Sequence, residues 1–243
     1  MYIKAILNIE NICSSICSLY FLLGHSHPRK FVDLWIRSLL PWHTPLSDQV
    51  PMITFKAGAW LESYLKPRMS VFEYGSGGST IFFSKRINNL ISVEHDKYWY
   101  SKVSSMISKE GISNCQYLLF EPEKMISGEM PSYDCKSYTS KGTEYTGMSF
   151  KNYVKSIENY PDGSFDLVLV DGVARPSCIL SALSKIRSGG YLMLDNSERS
   201  HYRDAISLLA DYKRTYFFGI GPRHPQLFQT SVWKIRSIDN SNK

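Results

Sequence analysis

The sequence predicts an α/β domain: a doubly wound, mostly parallel seven-stranded sheet with a C-terminal antiparallel strand and helices on both faces. Three observations carry that prediction. Five short apolar runs, at residues 70–74, 90–94, 115–120, 165–171 and 191–195, alternate with helical patterns, as strands buried on both faces do. A glycine-rich turn follows the first run and leads straight into a helix. Two more strand-like runs, 214–218 and 231–236, are joined without a helix and so read as an antiparallel pair.

Taken in order, residues 1–50 read as a helical N-terminal extension that ends in a proline-bearing loop at 41–51. Its apolar stretch, 13–24, is too short to span a bilayer. Nor does it read as a signal peptide, because Glu10 precedes it and no small-residue cleavage pattern follows; it is expected to pack on the domain or on a partner. Residues 51–236 then read as one domain. Phe55, Ala59, Trp60 and Leu65 fall mostly on one face of a helix that Pro67 stops. Helices are predicted at 80–86, 98–108, 150–159 and 176–186 between the strands, so the strand ends that carry polar residues share one rim. Residues 121–162 are longer than a plain connection and carry Tyr133, Tyr138, Tyr145, Tyr153 and Tyr160; this insertion is expected to act as a lid or acceptor wall, with Tyr153 instead facing the core. Residues 237–243 read as a frayed tail.

Composition narrows the partners. The balance of 28 Lys+Arg against 22 Asp+Glu, a formal charge of +6, is compatible with an acidic acceptor, an anionic lipid surface or RNA, or with an ordinary solvated basic surface. There is no run of five basic residues and no nucleic-acid arm, which makes a nucleic-acid partner the weaker expectation. Five cysteines without a CxxC pair exclude a disulfide framework or zinc site as the simplest reading and suit a reducing, cytoplasmic setting.

The turn reads Glu73-Tyr-Gly75-Ser76-Gly77-Gly-Ser79-Thr80. Glycines there let the backbone turn sharply and approach a ligand closely. A dinucleotide fingerprint would place a third glycine where Thr80 stands. Glu73 also points away from a pyrophosphate and toward a cationic ligand, such as the amino group and sulfonium of S-adenosylmethionine. Glu94 ends the second strand 19 residues after Gly75, where an acid can accept both ribose hydroxyls of a nucleoside, and His95 follows it beside the expected adenosine site.

These residues resemble the class I S-adenosylmethionine-dependent methyltransferase family, in which an acid-x-Gly-x-Gly loop follows the first strand and an acid ends the second. The resemblance covers residues 55–236, including the closing antiparallel strand. It implies S-adenosylmethionine as cofactor, with Glu73, Gly75, Ser76, Gly77, Ser79, Glu94, His95 and Asp171 around it. Asp171, at the end of the fourth strand, is the leading catalytic candidate, and Asp195 and His201 lie in segments expected near the same rim, with His224 a further histidine there.

Asp171, Asp195 and Asn196 also match, position for position, the metal ligands of catechol O-methyltransferase-like members. Those members carry a lysine base three residues after the first aspartate, where this chain has Ala174 followed by Arg175. Mg2+ is therefore an uncommitted expectation. Arg175 and Arg199, if they share the rim, suit a carboxylate or phosphate on the acceptor. The expected activity is O-methylation of a small molecule or glycan, a sugar or phenolic hydroxyl. An RNA methyltransferase, a non-catalytic binding domain and a nicotinamide-dependent oxidoreductase are the alternatives.

Overall fold

A computed structural model describes residues 29–125 and 134–236; the apolar stretch at 13–24 and the tail lie outside the described residues. The N-terminal segment holds α1 (Arg29–Ser38) and α2 (Pro45–Asp48), and α3 (Phe55–Tyr64) leads into β1 (Ser70–Tyr74). There follow α4 (Gly78–Ser84), β2 (Asn89–Glu94), α5 (Lys97–Lys109) and β3 (Cys115–Leu119). The insertion contributes β4 (Glu123–Lys124), β5 (Met148–Ser149) and α6 (Lys151–Lys155). The chain then runs through β6 (Phe165–Val170), α7 (Arg175–Ala182), β7 (Ile186–Leu194), α8 (Arg203–Ser207), β8 (Lys213–Gly219) and β9 (Phe228–Lys234).

The main sheet has seven strands in the order β3-β2-β1-β6-β7-β9-β8, with β9 antiparallel to both neighbours and the other pairs parallel. The fold class predicted from the sequence is the one found. β9 lies inside the sheet and β8 at its edge. The burial of the two strands explains that order: β9 hides Phe228 and the run Thr230–Trp233, whereas β8 exposes Lys213, Arg214, Thr215 and Tyr216. Charged residues on an edge strand also discourage pairing with another chain.

Strand alternation sorts the core into two layers. Phe72 and Tyr74 of β1, Val168 and Val170 of β6, and Leu192 and Leu194 of β7 pack with α6, α7 and α8. Val71, Leu167, Leu169 and Met193 face the other way, against α3 and α4. The strand order reverses between the parallel neighbours β1 and β6, with β2 and β3 added on one side and β7 on the other. Loops leaving adjacent strands part there, which is where doubly wound sheets bind ligands.

Some boundaries differ from expectation. β7 starts at Ile186 instead of 191, because Gly189 (φ 82°) and Gly190 let the strand absorb a register shift against β6 and continue. The helix expected over 150–159 is α6 followed by a 3-10 turn at Ser156–Asn159. Residues 29–54 are fastened to the 219–226 loop: Trp35 Nε1 donates to the His224 carbonyl at 3.1 Å, and the Arg223 guanidinium donates to the carbonyls of Ser38, Leu40 and His43. α2 lies over the start of α4, where a Cβ on Gly78 would collide with the carbonyls of Pro45 and Val50.

Candidate active site

The turn after β1 is shaped by backbone contact. Gly75 has φ 90°, and a Cβ there would lie 2.6 Å from the Gly172 Cα. Gly172 is equally confined, since its Cβ would collide with the Tyr153 hydroxyl and lie 3.0 Å from the Gly75 nitrogen. The loops leaving β1 and β6 therefore touch glycine to glycine. Gly77, by contrast, has extended backbone, and a Cβ on it would meet only Trp99 at 3.8 Å.

Glu73 stands where the sequence places it but does not face an open ligand groove. Alternation along β1 sends it to the α4 side of the sheet, where it is fully buried. Its Oε2 accepts from Thr80 Oγ1 at 2.7 Å and Ser92 Oγ at 2.6 Å. Burial pushes its pKa up to about 7, against hydrogen bonds from Ser79, Ser92 and Thr80 that pull it down. Thr80 Oγ1 also accepts from the Gly77 nitrogen at 3.0 Å. Glu73 thus holds the glycine turn from behind, a geometry that a charge argument along the sequence does not foresee.

Glu94 lies at the end of β2 beside the turn, 2% exposed. Its Oε2 accepts from the Ser76 nitrogen at 3.1 Å and from Ser76 Oγ at 2.8 Å, and its Oε1 accepts from the His95 and Asp96 nitrogens at 2.8 and 3.0 Å. Burial works against the carboxylate, but hydrogen bonds from His95, Asp96 and Ser76 outweigh it and hold Glu94 below the usual carboxylate range. His95 turns its ring to the insertion, with Nε2 3.0 Å from the Tyr145 hydroxyl.

Trp99 and Tyr117 complete this half of the site, and the sequence reading missed both. Trp99 Nε1 donates to the Ser76 carbonyl at 2.8 Å, and the Tyr117 hydroxyl lies 2.6 Å from Ser76 Oγ. The available signal was position: Trp99 is in the first turn of the helix that follows Glu94, with Asp96 capping that helix through the Trp99 nitrogen.

The other half is organised by Arg175. Its guanidinium donates to the carbonyls of Gly172 (2.9 Å), Asp171 (2.7 Å) and Asp195 (2.6 Å), and to Asp171 Oδ1 (3.1 Å) and Asn196 Oδ1 (3.2 Å). Burial pushes the Asp171 carboxyl up, while Arg175 and then Arg199 pull it back. Asp195 is 3% exposed, its Oδ1 accepting from Thr230 Oγ1 at 2.6 Å. Asp195 is therefore a buried partner of β9, not an acceptor-facing group, because Thr230 draws its carboxyl into the sheet. The three groups suggested as metal ligands do not fit a divalent ion as arranged, since the Arg175 cation lies among them and uses their oxygens. Among the described residues, no three His, Cys, Asp or Glu side chains form a metal-holding group.

A polar cavity of about 520 Å³ opens beside this network. The insertion supplies Thr139, Ser140, Lys141 and Tyr145 to it; the β6 exit supplies Gly172 to Pro176; and Arg199 to Tyr202 close it from the β7 side. His201 lines this cavity. Burial lowers its pKa, and Lys141, Arg199 and Arg175 lower it further. His224 is not on this rim: its ring packs on Phe228 with centroids 4.7 Å apart, in the loop tied to α1. The insertion is docked rather than free-standing, through Tyr145 on His95 and the Tyr138 nitrogen on Ser177 Oγ at 3.2 Å. Tyr153 is in the core, 1% exposed.

No protein-family model and no curated protein matches the chain. Solved structures do resemble it. A candidate O-methyltransferase from Klebsiella pneumoniae aligns at TM-score 0.54 and 14% identity, over 94% of this chain and 100% of its own. The O-methyltransferase TomG from Streptomyces achromogenes, involved in tomaymycin synthesis and solved with S-adenosylmethionine, aligns at TM-score 0.53 and 12% identity over the same shares. An rRNA methylase from Streptococcus thermophilus aligns at TM-score 0.50 and 10% identity, over 74% of this chain and 95% of its own. Likeness at 10–14% identity shows the scaffold and not the acceptor. The chain has the Rossmann-like fold of class I methyltransferases.

Proposed function

We propose that this chain is an S-adenosylmethionine-dependent methyltransferase that methylates a hydroxyl of a small molecule or glycan. One observation carries the reading. The buried side-chain polar atoms without an aligned partner among the described residues are Glu73 Oε1, His95 Nδ1 and Tyr153 Oη. All three belong to residues around the glycine turn: Glu73 precedes it, His95 follows Glu94, and the Tyr153 hydroxyl abuts Gly172 where Gly172 meets Gly75. His95 Nδ1 does lie 2.8 Å from Glu94 Oε1, close but poorly aligned. Each such atom costs roughly 1–3 kcal/mol if left unpaired, and natural folds keep few of them. A polar ligand bound at the turn is in keeping with such atoms gathering around it, Glu73 acting from behind the turn through its charge and not by contact.

The residues present fit S-adenosylmethionine. Glu94 would take the ribose hydroxyls once Ser76 Oγ yields its place, the 75–78 backbone would cradle the amino acid end, and Glu73 behind the turn would favour a cation through its field. When bound, that cofactor supplies a methyl group on a sulfonium for in-line displacement. The protein then has to align acceptor and methyl, an effect worth roughly 7–11 kcal/mol. The Gly75–Gly172 contact brings the cofactor turn against the acceptor cavity. His201, whose basicity burial and the neighbouring cations lower, lines the cavity and would accept the acceptor hydroxyl's proton there. Asp171 and Arg175 hold the β6 exit in shape.

Among the described residues no helix is long and apolar enough to cross a membrane, and Cys115, Cys135 and Cys178 are free thiols, which favours a cytoplasmic setting. The test is isothermal titration with S-adenosylmethionine, S-adenosylhomocysteine and a nicotinamide dinucleotide. Binding of the first two at roughly micromolar Kd, without the third, is the expected result; binding of none, or of the dinucleotide alone, overturns the proposal.

A further inference from the structure

The cavity beside Arg175 has a charge pattern that names its ligand. Its wall carries Lys141, Arg175 and Arg199, contributed by the insertion, by α7 and by the segment after β7. Arg175 is spent on Asp171, Asn196 and three carbonyls, so its charge is answered within the protein. Among the described residues Lys141 and Arg199 form no ion pair, and both are exposed. The other basic residues of this half are engaged elsewhere or do not line the cavity: Arg214 donates to Ser231 Oγ and lies over Trp233, and Arg223 binds the N-terminal segment. Ser140, Ser200 and Tyr202, hydroxyl-bearing residues that suit a polyhydroxylated ring, line the same space.

We propose that this cavity recognises an anionic group on the acceptor, a carboxylate or a phosphate, through Lys141 and Arg199. The inference deepens the proposed function and rests on it only for what happens to the acceptor after binding. Two cations lining one cavity from different segments can hold an anion together, and Arg199 offers the planar fork that matches either group. The depressed basicity of His201 is in keeping with that positive field. An anion bound there would orient the rest of the acceptor toward His201 and the Gly75–Gly172 contact, so the chain would act on a sugar acid or a phosphorylated sugar in preference to a neutral one.

The experiment is calorimetric titration of glucuronate, glucose 6-phosphate and glucose into the full chain, with and without saturating S-adenosylhomocysteine. At least one anion is expected to bind about tenfold or more tightly than glucose, and the paired variant Lys141→Gln, Arg199→Gln is expected to lose about tenfold or more of that affinity. Preference for glucuronate identifies a carboxylate; preference for the ester identifies a phosphate. Equal binding of glucose, no binding of either anion, or unchanged anion affinity in the paired variant overturns the inference. Titration of S-adenosylhomocysteine alone separates the two claims. If it binds and the anions do not, the acceptor inference fails and the methyltransferase reading stands; if the anions bind and it does not, the reverse holds.

Discussion

Replacing Arg175 tests whether a protein cation does the work that a metal ion would otherwise do between β6 and β7. Arg175→Ala removes five hydrogen bonds and leaves the half-buried Asp171 and the buried Asp195 as neighbouring acids without their nearest cation. Stranding one partner of a buried ion pair costs about 3–5 kcal/mol. For a chain of this size each kcal/mol lowers Tm by roughly 2–4 °C, so the expected fall is roughly 6–20 °C. Thermal unfolding followed by circular dichroism reads it directly. The same reasoning makes a second forecast: with the guanidinium gone, Asp171 Oδ1, Asn196 Oδ1 and the Asp195 carbonyl are free to take a hard cation, so Mg2+ or Mn2+ should restore part of the lost Tm in the variant. The unmodified protein should be indifferent to both ions and to EDTA. A Tm within about 2 °C of the parent, which is under about 1 kcal/mol, would show that Arg175 is not the organising cation. A parent protein stabilised by Mg2+ and stripped by EDTA would refute the reasoning from the other side.

Glu73 gives a pH prediction with a definite sign. Its folded pKa, about 7, is raised above the usual 4.5, so the folded state binds the extra proton between those values and stability falls as pH rises through that window. The charging penalty is on the order of 3 kcal/mol above pH 7. Glu73→Gln should match the parent in stability below about pH 4.5 and exceed it at pH 8; parallel Tm profiles over that range contradict the assignment. Gly172→Ala should cost about 1–3 kcal/mol through its collision with the Tyr153 hydroxyl, and adding Tyr153→Phe should recover part of the loss; strict additivity in a double-mutant cycle speaks against that contact. Gly77→Arg should fold normally, since only Trp99 lies near its Cβ direction, yet block cofactor titration by filling the turn; unchanged affinity would remove the turn from the cofactor site.

The periodic part of the molecule was legible in the chain alone. Apolar runs such as 90–94 and 165–170 are long enough, and sufficiently flanked by helical patterns, that burial on both faces is the only economical arrangement. The polar residues at the strand ends, Glu94 and Asp171 among them, followed from the same logic, because a parallel sheet sends every carboxyl end to one side. Side-chain direction at those ends was not legible. Glu73 was read as facing a cation, and a single step of strand alternation turns it under α4 to Thr80 and Ser92. Asp195 was read as catalytic, and its pairing with Thr230, 35 residues away on a strand inserted from the far end of the chain, takes it inward. Arg175 appeared as an anion ligand, yet its five partners come from the β6 and β7 exits, which only the packed sheet brings together. Local sequence therefore determined which elements form and which rim carries the chemistry. Tertiary structure decided which polar groups satisfy one another there and which are left for a ligand, because hydrogen bonding between distant segments depends on positions that no local pattern encodes.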